Sequence, residues 1–282
     1  MTKTASSQGA TIELKGPFAA RDLRALRSAG PIDCLSLTKH PLITAKLATA
    51  LSGIPSLRWL HLWCETTRTA MGRIIAIPGM EELDVLQLRK PGTLGNFAHA
   101  GGLKRFQCAF MSEEDFLEIS RSPNLVRLMA QNGTLSIRAL DAVLELPKLR
   151  ELDLEEANLD DEMAAALASS STVETLDIAA TRVTAKGLRS ICAMSQLRAL
   201  DIWALDIVDE DLDLLTGLPN LEYLSIGGHE HHPTLKAKGV LPRLAALPSL
   251  KRIWLDGIPL SRSEEAALKR RYDDVRTSSA TS

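Results

Sequence analysis

One short phrase, L-x-x-L-x-L, recurs along almost the whole of this 282-residue chain. It is clearest in Leu149-Arg-Glu-Leu152-Asp-Leu154, Leu197-Arg-Ala-Leu200-Asp-Ile202 and Leu221-Glu-Tyr-Leu224-Ser-Ile226. The phrases start at Ile32, Leu57, Leu83, Leu103, Leu125, Leu149, Val173, Leu197, Leu221 and Leu250, at spacings of 25, 26, 20, 22, 24, 24, 24, 24 and 29. All thirty apolar slots are filled by apolar residues in a chain that is 45% hydrophobic, so chance does not explain the pattern. An eleventh, degenerate phrase at Ile12 and Leu14 opens the array. A repeat of this length is one structural unit that cannot bury its apolar face alone, so the repeats must stack.

The alternation within each phrase predicts a short strand. Between phrases the apolar spacing becomes helical, as in Leu135, Leu140, Val143 and Leu146, in Val183, Leu188, Ile191 and Met194, and in Ile207, Leu212, Leu215 and Leu218. These place one stripe of each helix against the strands. Only 4% of residues are aromatic, so aliphatic side chains must build the core.

With such units, for example Val173-Glu-Thr-Leu-Asp-Ile-Ala-Ala-Thr181-Arg-Val183, the chain resembles leucine-rich repeat proteins with short bacterial repeats, over about residues 10–262. The resemblance implies an α/β fold: a curved solenoid with a parallel β-sheet on its concave face and helices on its convex face. The family's asparagine ladder is absent, because the equivalent positions hold His40, Glu65, Pro91, Met111, Gly133, Ala157, Thr181, Leu205, His229 and Ile258. The expected organisation is a single solenoid domain over 1–282. It comprises an N-terminal cap and degenerate repeat (1–31), ten repeats (32–260), a C-terminal capping helix (261–276) and a tail (277–282). Phe18, Leu23 and Leu26 suit an amphipathic helix in the N-terminal cap. Two repeats are irregular. Residues 91–102, with Pro91, Gly92, Gly95, Gly101 and Gly102, are too short and Gly-rich for a full helix. Gly227-Gly-His-Glu-His-His-Pro233 reads as an inserted loop.

Charge is segmented. Residues 1–148 carry 18 basic and 13 acidic side chains, 149–213 carry 5 and 15, and 214–282 carry 10 and 7. No stretch approaches the roughly 20 apolar residues of a membrane span. The four cysteines, Cys34, Cys64, Cys108 and Cys192, lack metal-ligand spacing or the pairing of a secreted disulfide scaffold, which points to a cytoplasmic compartment. Phosphate-loop, dinucleotide and nucleophile-elbow motifs are missing. The expectation is therefore a non-enzymatic chain with no catalytic, cofactor or metal site. His229, Glu230, His231 and His232 can ligate zinc only weakly. Asp160, Asp161, Glu162, Asp209, Glu210, Asp211 and Asp213 fall in turns and first helical turns, where they favour the helix dipole.

The strand positions facing away from the core are the second, fourth and sixth after each phrase start. All four tryptophans, Trp59, Trp63, Trp203 and Trp254, fall on them, as does Tyr223. Along the chain this face runs from Trp59, His61 and Trp63, through Arg89, Arg105 and Arg127, to Glu151, Asp153, Glu155, Asp177 and Asp201. It ends at Trp203, Tyr223 and Trp254. Asp153, Asp177 and Asp201 share one slot. Such a column is repulsive at the ~4.8 Å spacing of strands and is expected to contribute nothing to folding. These residues are the expected partner-binding set, because exposed Trp and Tyr anchor protein interfaces. The expected partner is a protein bound on the concave face, as by an interaction module, an immunity or inhibitor-type protein, or a secreted effector. The acidic column disfavours nucleic acid. Oligomeric state is not indicated, and a monomer is the default.

Overall fold

The computed structural model describes residues 2–6, 9–88, 90, 92, 94–228 and 235–278. The chain forms two compact units, Met1–Leu149 and Arg150–Ser282. The boundary falls where the charge balance changes sign.

In the first unit, β1 (Thr2–Ser6) and β2 (Gly9–Lys15) form an antiparallel hairpin. From β2 onward the strands pair in parallel and in sequence order: β3 (Ile32–Thr38), β4 (Trp59–Trp63), β5 (Glu82–Gln87), β6 (Arg105–Ala109) and β7 (Arg127–Met129). Ile12 pairs with Leu35 and is fully buried, so the degenerate phrase does open the array. The second unit repeats the arrangement with β8 (Glu151–Asp153), β9 (Thr175–Asp177), β10 (Ala199–Asp201), β11 (Tyr223–Gly227) and β12 (Arg252–Asp256). Each strand returns through a helical segment, because a parallel neighbour needs a crossover.

The first unit's helices are α1 (Ala20–Ala25), α2 (Ala45–Leu51), α3 (Arg68–Ile74), α4 (Glu113–Ile119) and α5 (Ile137–Leu144). The second unit has α6 (Asp161–Leu167), α7 (Ala185–Ile191), a 3₁₀ helix (Asp209–Gly217), α8 (Ala237–Ala245) and α9 (Arg262–Arg271). Their apolar stripes pack on the phrase residues. Leu140, Leu188, Leu212, Leu176 and Leu200 are all within 1% of full burial. Phe18, Leu23 and Leu26 are buried around α1, and the Gly-rich stretch makes only a 3₁₀ turn, Phe97–His99. Acidic turn residues work locally. Asp160 caps α6, accepting from the Glu162 and Met163 N–H groups, and Asp161 accepts from Thr184 and Gly187 of the next repeat.

Two expectations are corrected. Leu83 does not start a phrase. It pairs with Leu60 and Phe106, the middle residues of theirs, while Val85 pairs with Leu62 and Cys108. The phrase is Met80-Glu-Glu-Leu83-Asp-Val85; Met80 is 2% exposed, whereas Leu86 is 49% exposed. The deciding force is burial, since the displaced phrase would turn Val85, which is fully buried, onto the open face and draw the exposed Leu86 into the core. The C-terminal helix ends at Arg271 instead of Arg276, and β13 (Asp274–Thr277) adds a parallel strand to β12. Tyr272 is buried in that last phrase's first slot. Thr277 therefore belongs to a strand; residues 279–282 lie outside the described residues.

Seven of the strands end in a related turn. The seventh residue after the phrase start has positive φ at Lys39, Phe110, Asn132, Glu156, Ala180, Ala204 and Gly257. Of these only Asn132 and Gly257 are of types that adopt that conformation readily. The recurrence shows that stacking imposes the turn on whatever residue occupies it.

Candidate functional site

Because the strands pair without slippage from β8 to β12, equivalent residues stand in rows on the open face of the second unit. The second-position row holds Glu151, Thr175, Ala199, Tyr223 and Arg252. The fourth-position row is Asp153, Asp177, Asp201, Ser225 and Trp254. The sixth holds Glu155, Ala179, Trp203, Gly227 and Asp256, tied by backbone bonds from Glu156 to Ala179, Ala180 to Trp203 and Ala204 to Gly227.

The aspartate row has a structural duty that the sequence did not disclose, and the expectation that it contributes nothing to folding is wrong. One carboxylate oxygen of Asp153 accepts the Glu155 N–H at 3.0 Å. Asp177 does the same for Ala179 at 2.9 Å and Asp201 for Trp203 at 2.9 Å. These side chains close their strands as Asx turns. An asparagine oxygen would serve equally well, so the turn accounts for the side chain but not for its charge.

That charge is costly here. Burial, reinforced by Asp201, Asp153 and Glu155, pushes the Asp177 carboxyl up to about 8. Burial also raises Asp201 and Glu155. One position after each phrase start, the same strands carry alternating signs. Arg150, Glu174, Arg198, Glu222 and Lys251 are linked in order at 3.5, 3.7, 2.6 and 3.0 Å. The stacking thus accommodates an alternating ladder, yet the fourth-position row keeps one sign. Carboxylate oxygens of Asp153, Glu155 and Asp177 all lie within 4.8 Å of one another, a donor set of the oxygen type that hard cations take.

Small residues open a pocket beside this row. Ala179 and Ser225 leave space between larger neighbours, and Glu155, Asp201, Trp203, Trp254 and Asp256 surround a cavity of about 220 Å³. Gly227 has φ 153°, and a Cβ there would run into the Asp256 carbonyl. The indole N–H of Trp203 donates to Asp256 at 2.7 Å, which fixes one aromatic wall. Trp203 is half-buried, held by this bond, and Tyr223 stands apart from the pocket under the Arg252 guanidinium at 5.5 Å. Trp254 is 39% exposed.

The first unit's face is built differently. Trp63 is 54% exposed, while Trp59 and His61 are half-buried. The Asp84 carboxylate lies 3.1 Å from His61 Nδ1 and, with the Cys34 thiol, raises the imidazole to about 10, favouring its charged form. Arg105 donates to Glu82 at 2.8 Å. Arg127 is half-buried beside Met129. Glu82 and Asp84 were missed because the displaced phrase put Val85, Gln87 and Arg89 on this face. Val85 is buried, and Arg89 lies outside the described residues. The signal that finds them is the second matching phrase at Met80, spaced 23 residues from both Leu57 and Leu103. The His229–His232 run also lies outside the described residues.

No known family profile matches the sequence, and no curated protein is significantly similar to it. Among solved structures, an internalin (inlF) of Listeria monocytogenes matches with a TM-score of 0.52 and 15% identity, over 89% of this chain and 76% of that one. The chain has the leucine-rich repeat fold. An internalin C2 of the same organism is similar at a TM-score of 0.44 and 23% identity, over 63% of this chain and 73% of that one. At 15% identity the likeness to the internalin inlF shows the fold alone and leaves this chain's partner open. No helix among its described residues is long and apolar enough to cross a membrane.

Proposed function

We propose that this leucine-rich repeat chain is a non-enzymatic protein-binding module that takes a protein partner on the open face of its strands. The observation that carries the reading is the placement of the aromatic residues. The buried core is almost wholly aliphatic, while Trp63 and Trp254 stand on the open face with 54% and 39% of their surface exposed. Exposed tryptophan costs solubility and supplies anchoring area at interfaces, where Trp and Tyr dominate the binding energy. On the second unit the binding set is Glu151, Asp153, Glu155, Asp177, Asp201, Trp203, Tyr223 and Trp254. On the first it is Trp59, His61, Trp63, Arg105 and Arg127, with Arg89 in the adjoining segment. An inhibitor or immunity-type role, blocking an enzyme or toxin in a bacterial cytoplasm, is the form in which such a face needs nothing beyond tight binding. A secreted effector acting on host proteins would use the same face.

The test is affinity capture from native cell extract with the wild-type chain and with Trp254→Ala. The reading expects a protein retained by the wild type and lost with the variant at equal folded concentration. Retention of every captured protein by the variant would contradict it.

A further inference from the structure

The pocket between Trp203 and Trp254 has walls of two kinds. Two indoles border it, and around the same space of about 220 Å³ stand the carboxylates of Glu155, Asp201 and Asp256, the last already accepting from the Trp203 indole and the Ser278 hydroxyl. Either kind alone has a bland explanation, since tryptophans cover apolar surface and carboxylates close turns. Together they form the surroundings in which a positive charge on an apolar stem is stabilised, by ring quadrupoles on one side and by ion pairing on the other. The like-signed row of Asp153, Asp177 and Asp201 runs into this pocket through Asp201, so a cation placed there also offsets the repulsion along the row. The same face already uses this chemistry once, where the Arg252 guanidinium lies 5.5 Å from the Tyr223 ring centroid.

We infer that this pocket is the anchor site for an arginine side chain presented by the protein partner. The inference rests on the protein-binding reading above and names the chemistry the partner must bring. Arginine fits better than lysine for a geometric reason. The carboxylates approach from three strands' ends rather than from one point, and a planar guanidinium carries five N–H donors in a fork while stacking on an indole. Lysine, a compact charge with three donors, satisfies fewer of these groups while it keeps its water. Trp203 is pre-positioned by its bond to Asp256, so ordering that wall costs the complex nothing on binding.

The probe is the blocked tripeptide acetyl-Gly-Arg-Gly-amide, titrated into the full-length ¹⁵N-labelled chain while the four indole N–H resonances are followed. The resonances are assigned with Trp203→Phe and Trp254→Phe. The indoles of Trp203 and Trp254 should shift saturably, while those of Trp59 and Trp63 stay in place. The lysine peptide should bind several-fold more weakly, and the citrulline peptide, which keeps shape and loses charge, should leave all four unmoved. Asp201→Asn retains the Asx turn oxygen and should weaken arginine binding at least tenfold; Glu155→Gln, outside that turn, should act in the same direction. Equal shifts with arginine and citrulline overturn the inference, as do shifts that Asp201→Asn leaves unchanged. A calcium chloride titration is the competing arm. If calcium moves the two indoles and arginine does not, the acidic row serves a metal ion and the inference fails. A captured partner that depends on Trp254 while arginine peptides stay silent overturns the arginine anchor alone and leaves the binding-module reading standing.

Discussion

Each unit is built on the same kind of apolar core, and the two differ in what their strands present outward. In the first, charges on the open face are matched within the sheet: His61 with Asp84, and Arg105 with Glu82. In the second, aspartates follow one another in register from β8 to β10, and the groups that push Asp177 upward are all acidic. The two units also carry opposite net charge, as their sequences require. Their pockets follow suit: the first unit has a basic cleft on its helical side lined by Arg24, Arg27, Lys46 and Arg73, and the second an acidic, aromatic cleft on its strand side. A face that neutralises itself is compatible with folding alone. A face that accumulates one sign beside the alternating Arg150–Lys251 ladder is the one to which the proposed arginine anchor is assigned.

If the difference lies only on the surface, equivalent core truncations in the two units must cost alike. Leu60→Ala and Leu200→Ala, both fully buried in the middle slot, should each lose ~2–5 kcal/mol in chemical denaturation. A loss below ~1 kcal/mol in either would remove that repeat from the packed core. The next effect is on binding. Trp254→Ala should cost ~2 kcal/mol or more of partner affinity and change folding by within about 0.5 kcal/mol. Trp203→Ala is a less clean variant, because it also strips Asp256 of its indole donor.

Titration separates the units further. Asp177 faces Asp153 and Glu155 from β8 and its end, Asp201 from β10, and the Ala179 N–H in its own strand. Its folded pKa is raised, so its contribution is fully present below the unfolded value near 3.8 and is lost as pH rises towards about 8. Asp177→Asn keeps the turn and should stabilise the chain by ~1 kcal/mol or more at pH 8 and by little at pH 4. His61 faces Asp84 from β5 and Cys34 from β3. Its contribution is present below 6.5 and fades as pH rises through about 10, so His61→Gln should flatten only that higher window. Denaturation midpoints across pH 4–10 would check both, and coincident windows would break the distinction between the faces. The smallest effect is common to both units. Ala180→Gly and Lys39→Gly, each at positive φ, should gain ~0.5–1 kcal/mol in thermal unfolding.

Much of this was legible in advance. Phrase periodicity located the strands, and the change to helical spacing located the buried stripes, because apolar burial is what the repeat encodes. The third strand was misplaced since Leu83-x-x-Leu86-x-Leu88 satisfies the phrase as well as Met80-x-x-Leu83-x-Val85; only pairing with Leu60 and Phe106 separates them. Strand β13 was missed because Thr277 breaks the apolar rule at the end of the array. On the face, the tryptophan and aspartate slots were readable from spacing alone. The pocket was not, because it depends on what Ala179 and Ser225 lack, and small residues carry no periodic signal. Nor was the Asx turn, which requires knowing where each strand stops.

The central claim is that the exposed tryptophan on the second unit's open face serves binding and is dispensable for folding. Calorimetric titration of a captured partner into wild-type protein and into Trp254→Ala, with denaturation curves for both, tests it most directly. The account predicts an affinity at least ~30-fold lower for the variant, equivalent to ~2 kcal/mol, with an unchanged unfolding midpoint. An unchanged affinity, or a midpoint that falls while affinity per folded molecule holds, would contradict it.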